Sequence, residues 1–168
     1  MTSTGEIDLV FLLDLTGSMQ QQLDSVKSNV EKIISTISKL KDCRSLRFGM
    51  IGYHDHDDGT EWAVNVVVPL TEDASMMKRE VVKLGVSGGA DYPESLTDGI
   101  FELVRLDWRM NAAKTAILIG DAPPHGVGGS GDSFPKGCPC GEDWIEQLEA
   151  CREIGIVIHS VVCSGLRE

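Results

Sequence analysis

Two continuous apolar stretches, each closed by an aspartate, constrain the fold of this 168-residue chain more than any other feature. They are "IDLVFLLD" (7–14) and "KTAILIGD" (114–121). The first does not alternate polar and apolar residues as a half-exposed strand does, so it is predicted to be a central strand buried on both faces, and the other is predicted to be a second buried strand. Apolar residues at helical spacing separate such strands along the chain. This alternation predicts an α/β fold with a doubly wound, mostly parallel sheet and helices on both faces.

The other elements follow from hydrophobic periodicity and from capping residues. Helices are predicted from near Met19 to Leu40 and over "EDASMMKREVVKLG", "PESLTDGIFELVRL" and "EDWIEQLEACREIG", and a last strand over "IVIHSVVCS". Gly85 is predicted to cap the second helix, and Pro93 to occupy the first position of the third. "SLRFGMIGYHD" and "WAVNVVVPL" are predicted strands, and the short polar loop between them favours one antiparallel pair.

Both strand-ending acids, Asp14 and Asp121, are expected at the carboxyl edge of the sheet, where open α/β sheets bind their ligands. Thr16 and Ser18 follow Asp14 at every second position, so in an extended segment the three side chains point the same way. Two acids in one cleft repel each other unless a cation lies between them. Oxygen ligands of this kind suit Mg²⁺, Mn²⁺ or Ca²⁺ and not zinc. A hydroxyl that only caps the following helix, or a solvated Asp14, stays an open alternative.

Charge and cysteine content restrict the partners and the compartment. The net charge of −11 makes nucleic acid and anionic membranes poor partners. No apolar stretch approaches membrane-spanning length, and the N-terminus lacks the basic and apolar regions of a signal peptide. The five irregularly spaced cysteines do not resemble a disulfide framework and favour a reducing, cytoplasmic compartment. An extracellular location stays open if the chain is a fragment of a larger protein. Length and composition favour a single domain over residues 1–168.

The stretch "DLTGS" (14–18) resembles the D-x-[ST]-x-S signature of the metal-ion-dependent adhesion site in von Willebrand factor type A (VWA) domains. "VSGGADYPESLTDGI" (86–100) and "AILIGDAPPHG" (116–126) follow in the order and spacing of that family. The resemblance runs from about Ile7 to Cys163, and it points to the A domains of α-kinase-associated and hemicentin-like proteins. It implies the Rossmann-like VWA fold. It also implies a C-terminally short domain, because an A domain continues past "IHSVVCS" with another helix, an edge strand and a final helix.

The resemblance implies a first metal site that holds Mg²⁺ or Mn²⁺. Most A domains use a threonine as the next ligand, but "DYPES" is similar to the Asp-x-Pro-Glu of integrin β subunits, in which the glutamate binds the metal. The implied ligands, some direct and some through water, are Asp14, Thr16, Ser18, Glu94 and Asp121. One coordination position is then left for an Asp or Glu carboxylate of a partner protein, which is how the family binds.

The same resemblance implies a second site beside the first, which holds Ca²⁺ in integrin β subunits. Asp55, Asp91 and the shared Glu94 match three of its ligands, but Gly89 stands where those subunits have an asparagine ligand. We therefore expect a weakened Ca²⁺ site at Asp55, Asp91 and Glu94. A further integrin site needs two acids where this chain has a pair of glutamines (21–22), so that site is predicted to be absent.

Three other groups have a plain structural interpretation beside a chemical one. The histidines of "HDHDDG" (54–59) are interpreted as part of a solvated acidic loop rather than a transition-metal site. "CPCG" (138–141) lacks the usual C-x₂₋₄-C spacing, so a loop shaped by proline and glycine is favoured over a zinc site shared with His125. Asp98, on the helix after Glu94, is predicted to be solvated.

Together these features favour a divalent-metal-dependent protein-binding module for adhesion or scaffolding, and not an enzyme. A regulatory domain with a purely structural metal is the first alternative. A metal-dependent hydrolase is the second, with His125 as its base or with Ser18, His125 and Asp121 as a triad. The triad is disfavoured because "DLTGSMQ" is not a G-x-S-x-G nucleophile elbow.

Overall fold

The computed structural model describes residues 5–56, 63–89, 91–128 and 131–163, and it confirms the predicted alternation of strands and helices. The strands are β1 (Glu6–Asp14), β2 (Ser45–Tyr53), β3 (Val64–Thr71), β4 (Ala113–Gly120) and β5 (Ile156–Val162). The helices are α1 (Gln20–Ser38), α2 (Ala74–Val81), α3 (Leu96–Arg105) and α4 (Trp144–Ile154). A 3₁₀ turn, Gly17–Met19, leads from β1 into α1.

The five strands form one sheet in the order β3-β2-β1-β4-β5. β1 pairs in parallel with β2 and β4, and β4 pairs in parallel with β5. β3 is antiparallel to β2, so the prediction of a mostly parallel sheet with one antiparallel strand is confirmed. The chain first adds β2 and β3 on one side of β1, and it then adds β4 and β5 on the other side. The switch point of the strand order therefore lies between β1 and β4.

β1 is the centre of two hydrophobic cores, one on each face of the sheet. Leu9, Phe11 and Leu13 pack on one face with apolar residues of α1 and α2. Val10 and Leu12 point to the other face and pack with residues of α3 and α4. Because both faces of β1 are buried, its sequence is continuously apolar rather than alternating. The prediction of helices on both faces is confirmed.

Helix α2 ends earlier than its sequence pattern predicts. It ends at Val81, so the prediction that Gly85 caps it is wrong. The cause is tertiary, because Leu84 packs against the core and the amide of Ser87 donates a hydrogen bond to the carbonyl of Leu15 at 3.0 Å. The chain leaves the helix to pair with the loop that follows β1.

Helix α3 begins later than predicted, at Leu96, so the prediction that the proline of "DYPES" occupies its first position is wrong. The amide of Glu94 donates to the carbonyl of Pro123 at 3.0 Å, and the amide of Ser95 donates to the carbonyl of His54 at 3.1 Å. These bonds hold the two residues before the helix between the loops that follow β4 and β2.

Candidate metal centre

The two strand-ending acids reach the same edge of the sheet, as the sequence predicts. Asp14 is the last residue of β1, and Asp121 directly follows β4, its parallel neighbour. Gly120 lets the two strand ends approach, since a Cβ atom built on it would lie 3.5 Å from Asp14 Oδ2 and 2.7 Å from the Tyr53 hydroxyl. The acids therefore flank a cleft at the switch point of the sheet.

The loop after β1 gathers its oxygen atoms on one side, as the two-residue spacing predicts. Asp14 Oδ1 accepts hydrogen bonds from the Thr16 amide at 2.9 Å and from the Thr16 hydroxyl at 2.6 Å. The hydroxyl oxygens of Thr16 and Ser18 are 3.5 Å apart. Asp14 Oδ2 is buried and has no hydrogen-bond partner among the residues that the structure describes. One carboxylate oxygen thus shapes the loop, while the other faces the cleft.

The alternative in which the hydroxyls merely cap the helix is wrong. Thr16 precedes the 3₁₀ turn, but its side chain makes no capping hydrogen bond. The N-cap of α1 is Met19, one residue beyond Ser18. The alternative of a solvated Asp14 is also wrong, because this residue is only 2% exposed.

Glu94 reaches the same cleft from the loop before α3. The backbone of Glu94 pairs with that of Pro124 in an isolated parallel bridge, which places Glu94 beside the segment that carries Asp121. A Cβ atom built on Gly89 would lie 3.6 Å from Thr16 Cβ and 3.7 Å from Glu94 Oε1. Gly89 therefore lies between the two, and its φ of +92° is a conformation that favours glycine. The structure thus brings all the acids of the predicted first site to one end of the sheet.

Tyr53, the last residue of β2, lies under these acids. It is fully buried, and its hydroxyl has no hydrogen-bond partner among the described residues. Burial raises the pKa of Tyr53 well above its usual value, and the charges of Asp14, Glu94 and Asp121 raise it further. A tyrosine near the end of a predicted strand carries no sequence signal of such a position, and the sequence did not predict it.

The acids of the cleft destabilise one another. Burial raises the pKa of Asp14, the hydrogen bonds from Thr16 oppose that rise, and the charge of Asp121 adds to it. A charge that is both buried and beside a like charge is unfavourable unless a cation compensates it. The cleft can therefore offer oxygen ligands to a hard cation, and its own charges make that cation favourable.

The predicted second site contains an unexpected histidine. The structure brings Asp55 and Asp91 together with His125, and one ligand atom of each lies within 4.8 Å of the others. His125 Nε2 is 2.7 Å from Asp55 Oδ1, and its Nδ1 is 2.8 Å from Asp132 Oδ1. Burial lowers the pKa of His125, but the hydrogen bonds to Asp55 and Asp132 outweigh it and raise the pKa. Glu94, the third predicted ligand, is not part of this tight group.

The position of His125 also bears on the hydrolase alternative. Both of its ring nitrogens contact carboxylates, those of Asp55 and Asp132. Neither ring nitrogen is left to take a proton from Ser18, so the structure does not assemble the triad of Ser18, His125 and Asp121. The sequence predicted no role for His125 in the second site, because its partner Asp55 lies 70 positions earlier in the chain.

A third cluster joins two predicted loops to the predicted helix that carries Asp98. His56, Asp98, Cys138 and Cys140 each offer a ligand atom within 4.8 Å of the others. The prediction that Asp98 is solvated is wrong, because Asp98 is 6% exposed and its Oδ2 contacts both His56 and Cys138. Burial and the contact with Asp98 raise the pKa of Cys138 to about 12. Both thiols of the "CPCG" segment therefore contact His56.

The two histidines of "HDHDDG" do not share a site. His54 Nδ1 lies 3.2 Å from the carbonyl of Ser87, whereas His56 Nε2 lies 3.1 Å from Asp98 Oδ2. The interpretation of this segment as a solvated loop is wrong for His56, whose side chain is 17% exposed. The rest of the loop, 57–62, lies outside the described residues.

An open, mostly parallel sheet with acids and hydroxyls at its switch point defines the Rossmann-like A-domain class. The chain belongs to the von Willebrand factor A domain family, whose model matches residues 8–124. The resemblance to this family is confirmed. Among the described residues, no helix has both the length and the apolar character of a membrane span.

Three relatives show the breadth of that family. The chain is 31% identical over 137 residues to alpha-protein kinase vwkA of Dictyostelium discoideum, which covers 80% of the chain and 22% of the kinase. It is 32% identical over 92 residues to hemicentin-2 of Mus musculus, covering 55% of the chain and 2% of hemicentin-2. It is 25% identical over 128 residues to integrin beta-2-like protein of Mus musculus, covering 74% of the chain and 16% of that protein. The chain thus spans less than a quarter of each of these relatives.

Two solved structures share the fold. The BatB protein of Bacteroides thetaiotaomicron aligns with a TM-score of 0.60 and 18% identity, over 93% of this chain and 66% of that one. The pilus adhesin SpaC of Lactobacillus rhamnosus GG aligns with a TM-score of 0.67 and 15% identity, over 96% of this chain and 25% of that one. These alignments support the Rossmann-like α/β fold.

Proposed function

We propose that this A domain binds a partner protein through a divalent cation, Mg²⁺ or Mn²⁺. Its ligands, some direct and some through water, are Asp14, Thr16, Ser18, Glu94 and Asp121. The open coordination position accepts an Asp or Glu carboxylate from the partner. The observation that carries the proposal is the Oδ2 atom of Asp14, a buried carboxylate oxygen with no hydrogen-bond partner among the described residues.

The charges around Asp14 support a cation at this position. Its pKa is raised by burial and by the charge of Asp121, and the hydrogen bonds from Thr16 only oppose that rise. A metal ion between the two carboxylates replaces their repulsion with attraction. Mg²⁺ suits oxygen ligands and keeps several of its waters, so it can bridge a cleft whose acids do not all touch one another.

The net charge of the domain is a reason to expect that partner binding depends on the cation. A chain with a net charge of −11 repels an acidic ligand, so a partner carboxylate gains affinity only from the bound metal. A pocket of about 290 Å³ beside Asp121, lined by residues that include Tyr92, Pro123 and Val162, can receive an apolar side chain next to that carboxylate. Relatives of this domain occur in hemicentin and integrin beta proteins, which supports a protein partner.

Selection of peptides on the immobilised chain tests this proposal. A random peptide library is selected in Mg²⁺ and, in parallel, in a chelator. We expect Mg²⁺-dependent peptides that share an Asp or Glu, and loss of their binding when that acid becomes an amide. Glu94→Gln should abolish binding, whereas Asp24→Asn, which changes an exposed acid of α1, should not. Peptides that bind equally in the chelator would contradict the proposal.

Beside this site we expect a weaker Ca²⁺ site at Asp55, Asp91 and Glu94. Asp91 Oδ1 is buried and has no hydrogen-bond partner among the described residues, which supports a cation there. His125 contacts Asp55 Oδ1 and competes with the cation, which is a second reason, besides Gly89, to expect weak binding. A Ca²⁺ titration in saturating Mg²⁺ should show a second binding event, and a single-site isotherm would contradict it.

The similarity to a protein kinase favours one alternative, a regulatory domain whose metal is purely structural. The chain spans 22% of that kinase, so kinase activity does not transfer to it. In this alternative a chelator lowers the melting temperature but leaves partner binding intact, whereas the adhesion proposal requires that binding be lost. A cytoplasmic location, predicted from the free cysteines, stays a prediction, with an extracellular location as its alternative.

A further inference from the structure

We propose that His56, Asp98, Cys138 and Cys140 bind one zinc ion at the rim of the metal cleft. The four residues come from three separate parts of the chain. His56 follows β2, Asp98 lies in the first turn of α3, and the two cysteines lie in the long connection between β4 and α4. The site is separate from the carboxylate and hydroxyl ligands of the proposed Mg²⁺ site and does not depend on it.

Four of the six distances among the ligand atoms are close to those of a tetrahedral ion, and all six are within 4.8 Å. Asp98 Oδ2 is 3.1 Å from both His56 Nε2 and Cys138 Sγ. His56 Nε2 is 3.4 Å from Cys138 Sγ and 3.8 Å from Cys140 Sγ. Zinc bonds to nitrogen, oxygen and sulfur place neighbouring corners of a tetrahedron about 3.3 to 3.8 Å apart. Small shifts of these side chains would therefore complete the coordination shell.

The chemistry of the donors selects the metal. Two sulfurs and an imidazole favour zinc over Mg²⁺ or Ca²⁺, and a carboxylate is an accepted fourth zinc ligand. Cysteine binds zinc as the thiolate, so binding releases the two thiol protons to solvent. The charge of the ion then offsets two thiolates and the buried carboxylate of Asp98. The C-x-C spacing is unusual for zinc, but it brings both thiols near the same His56 nitrogen.

Neighbouring groups support the ligands. The amide of Cys140 donates a hydrogen bond to Cys138 Sγ at 3.3 Å, which favours a negatively charged sulfur. The edge-to-face contact between Phe134 and His56, with ring centroids 6.0 Å apart, holds the imidazole in place. The amide of His56 donates to Asp55 Oδ1 at 2.7 Å, which fixes its backbone.

Zinc at this position has a clear structural consequence. The connection between β4 and α4 (121–143) is longer than most loops of compact domains. It carries His125, which contacts Asp55 and is held on its other side by Asp132. It also carries Ser133, whose amide donates a hydrogen bond to Asp91. A zinc ion that joins this connection to α3 and to the end of β2 holds those contacts in place.

Cobalt and zinc titrations of the full chain test the proposal. The chain is stripped of metal under reducing conditions, and excess Mg²⁺ is present throughout. We expect one Co²⁺ per chain, with thiolate-to-cobalt charge-transfer absorption and the strong visible bands of tetrahedral Co²⁺, both displaced by one Zn²⁺. Competition with a chromophoric chelator then measures the zinc affinity.

Substitutions assign the site and control for folding. Cys140 is exposed, so Cys140→Ser should fold normally and weaken zinc binding by at least about tenfold. Asp98→Asn should also weaken it. Cys43→Ser, which removes a half-buried thiol elsewhere, and Asp14→Asn should leave the zinc affinity unchanged. Absence of charge-transfer absorption, or equal zinc affinity in Cys140→Ser and the unaltered chain, would overturn the proposal.

Discussion

Asp14 Oδ1 accepts two hydrogen bonds from Thr16, from its amide at 2.9 Å and from its hydroxyl at 2.6 Å. These bonds fix the rotamer of the carboxylate, so Oδ2 faces the cleft before any cation arrives. A ligand that is oriented during folding loses less entropy when the metal binds. The metal-free protein is destabilised by this arrangement, because Oδ2 is buried close to the like charge of Asp121.

Asp14→Asn separates these two effects. The amide oxygen can still accept both hydrogen bonds from Thr16, but the buried negative charge is gone. We expect the metal-free variant to melt above the metal-free wild type and to gain no stability from Mg²⁺. The wild type should gain about 2.7 kcal/mol at a Mg²⁺ concentration 100 times the Kd. Thermal melts with and without Mg²⁺ measure both, and equal stabilisation of the two proteins would show that Asp14 is not a ligand.

Gly120→Ala should damage the cleft. The added methyl would lie 2.7 Å from the Tyr53 hydroxyl and 3.4 Å from Asp14 Cβ, so the ends of β2 and β4 must move apart. We expect a loss of about 1–3 kcal/mol in the free energy of unfolding, measured by urea denaturation, and weaker Mg²⁺ binding.

Gly85→Ala is the matched control for that substitution. No atom lies within 4 Å of its added methyl, and its φ lies outside the region that favours glycine. We expect no loss of stability, or a gain of about 0.4–1 kcal/mol from the reduced freedom of the unfolded chain. Equal losses in the two variants would contradict the close approach of β4 to Tyr53.

Asp8 stabilises the end of the sheet opposite the metal cleft, near the start of β1. It is fully buried, and Arg47 and Arg109 both donate hydrogen bonds to it. Asp8→Asn leaves two guanidinium groups without their buried counter-charge, and we expect a loss of about 3–5 kcal/mol in the free energy of unfolding at neutral pH. Asp107→Asn is the control, because that partner of Arg47 is fully exposed and its substitution should leave the stability nearly unchanged.

The effect of Asp8→Asn on stability is also expected to depend on pH. Burial raises the pKa of Asp8, but the hydrogen bonds from Arg47 and Arg109 outweigh it and hold the pKa below its usual value. A carboxyl with a lowered folded-state pKa stabilises the protein above its unfolded-state pKa and loses that contribution as pH falls through the folded-state value. The stability difference between wild type and Asp8→Asn should therefore shrink in acid. A difference that is constant with pH would contradict this role for the charge.

Local sequence patterns predicted the sheet and the position of the loop after β1 well, for physical reasons. The continuous apolar run that ends at Asp14 records burial on both faces, and that burial requires a central strand. The positions of Thr16 and Ser18 relative to Asp14 depend only on the geometry of an extended segment. Such features are local, so they can be inferred without knowledge of the fold.

The errors involve contacts between distant segments. Asp98 has the sequence context of an exposed helical residue, but it is buried by Cys138 and His56, which lie 40 and 42 positions away. His125 is bound by Asp55, 70 positions earlier, and Gly85 lost its predicted role because the chain turned to meet the loop after β1. No short motif encodes such pairings, since each depends on which segments the fold brings next to each other.

The most direct test of the metal-dependent account is a Mn²⁺ titration of the full chain, followed by electron paramagnetic resonance of the free ion. We predict that Glu94→Gln weakens the tightest Mn²⁺ binding by at least about tenfold, while Asp24→Asn leaves it unchanged. Circular dichroism of each protein confirms its fold. Mn²⁺ affinity that is the same in the wild type and in Glu94→Gln would contradict the account.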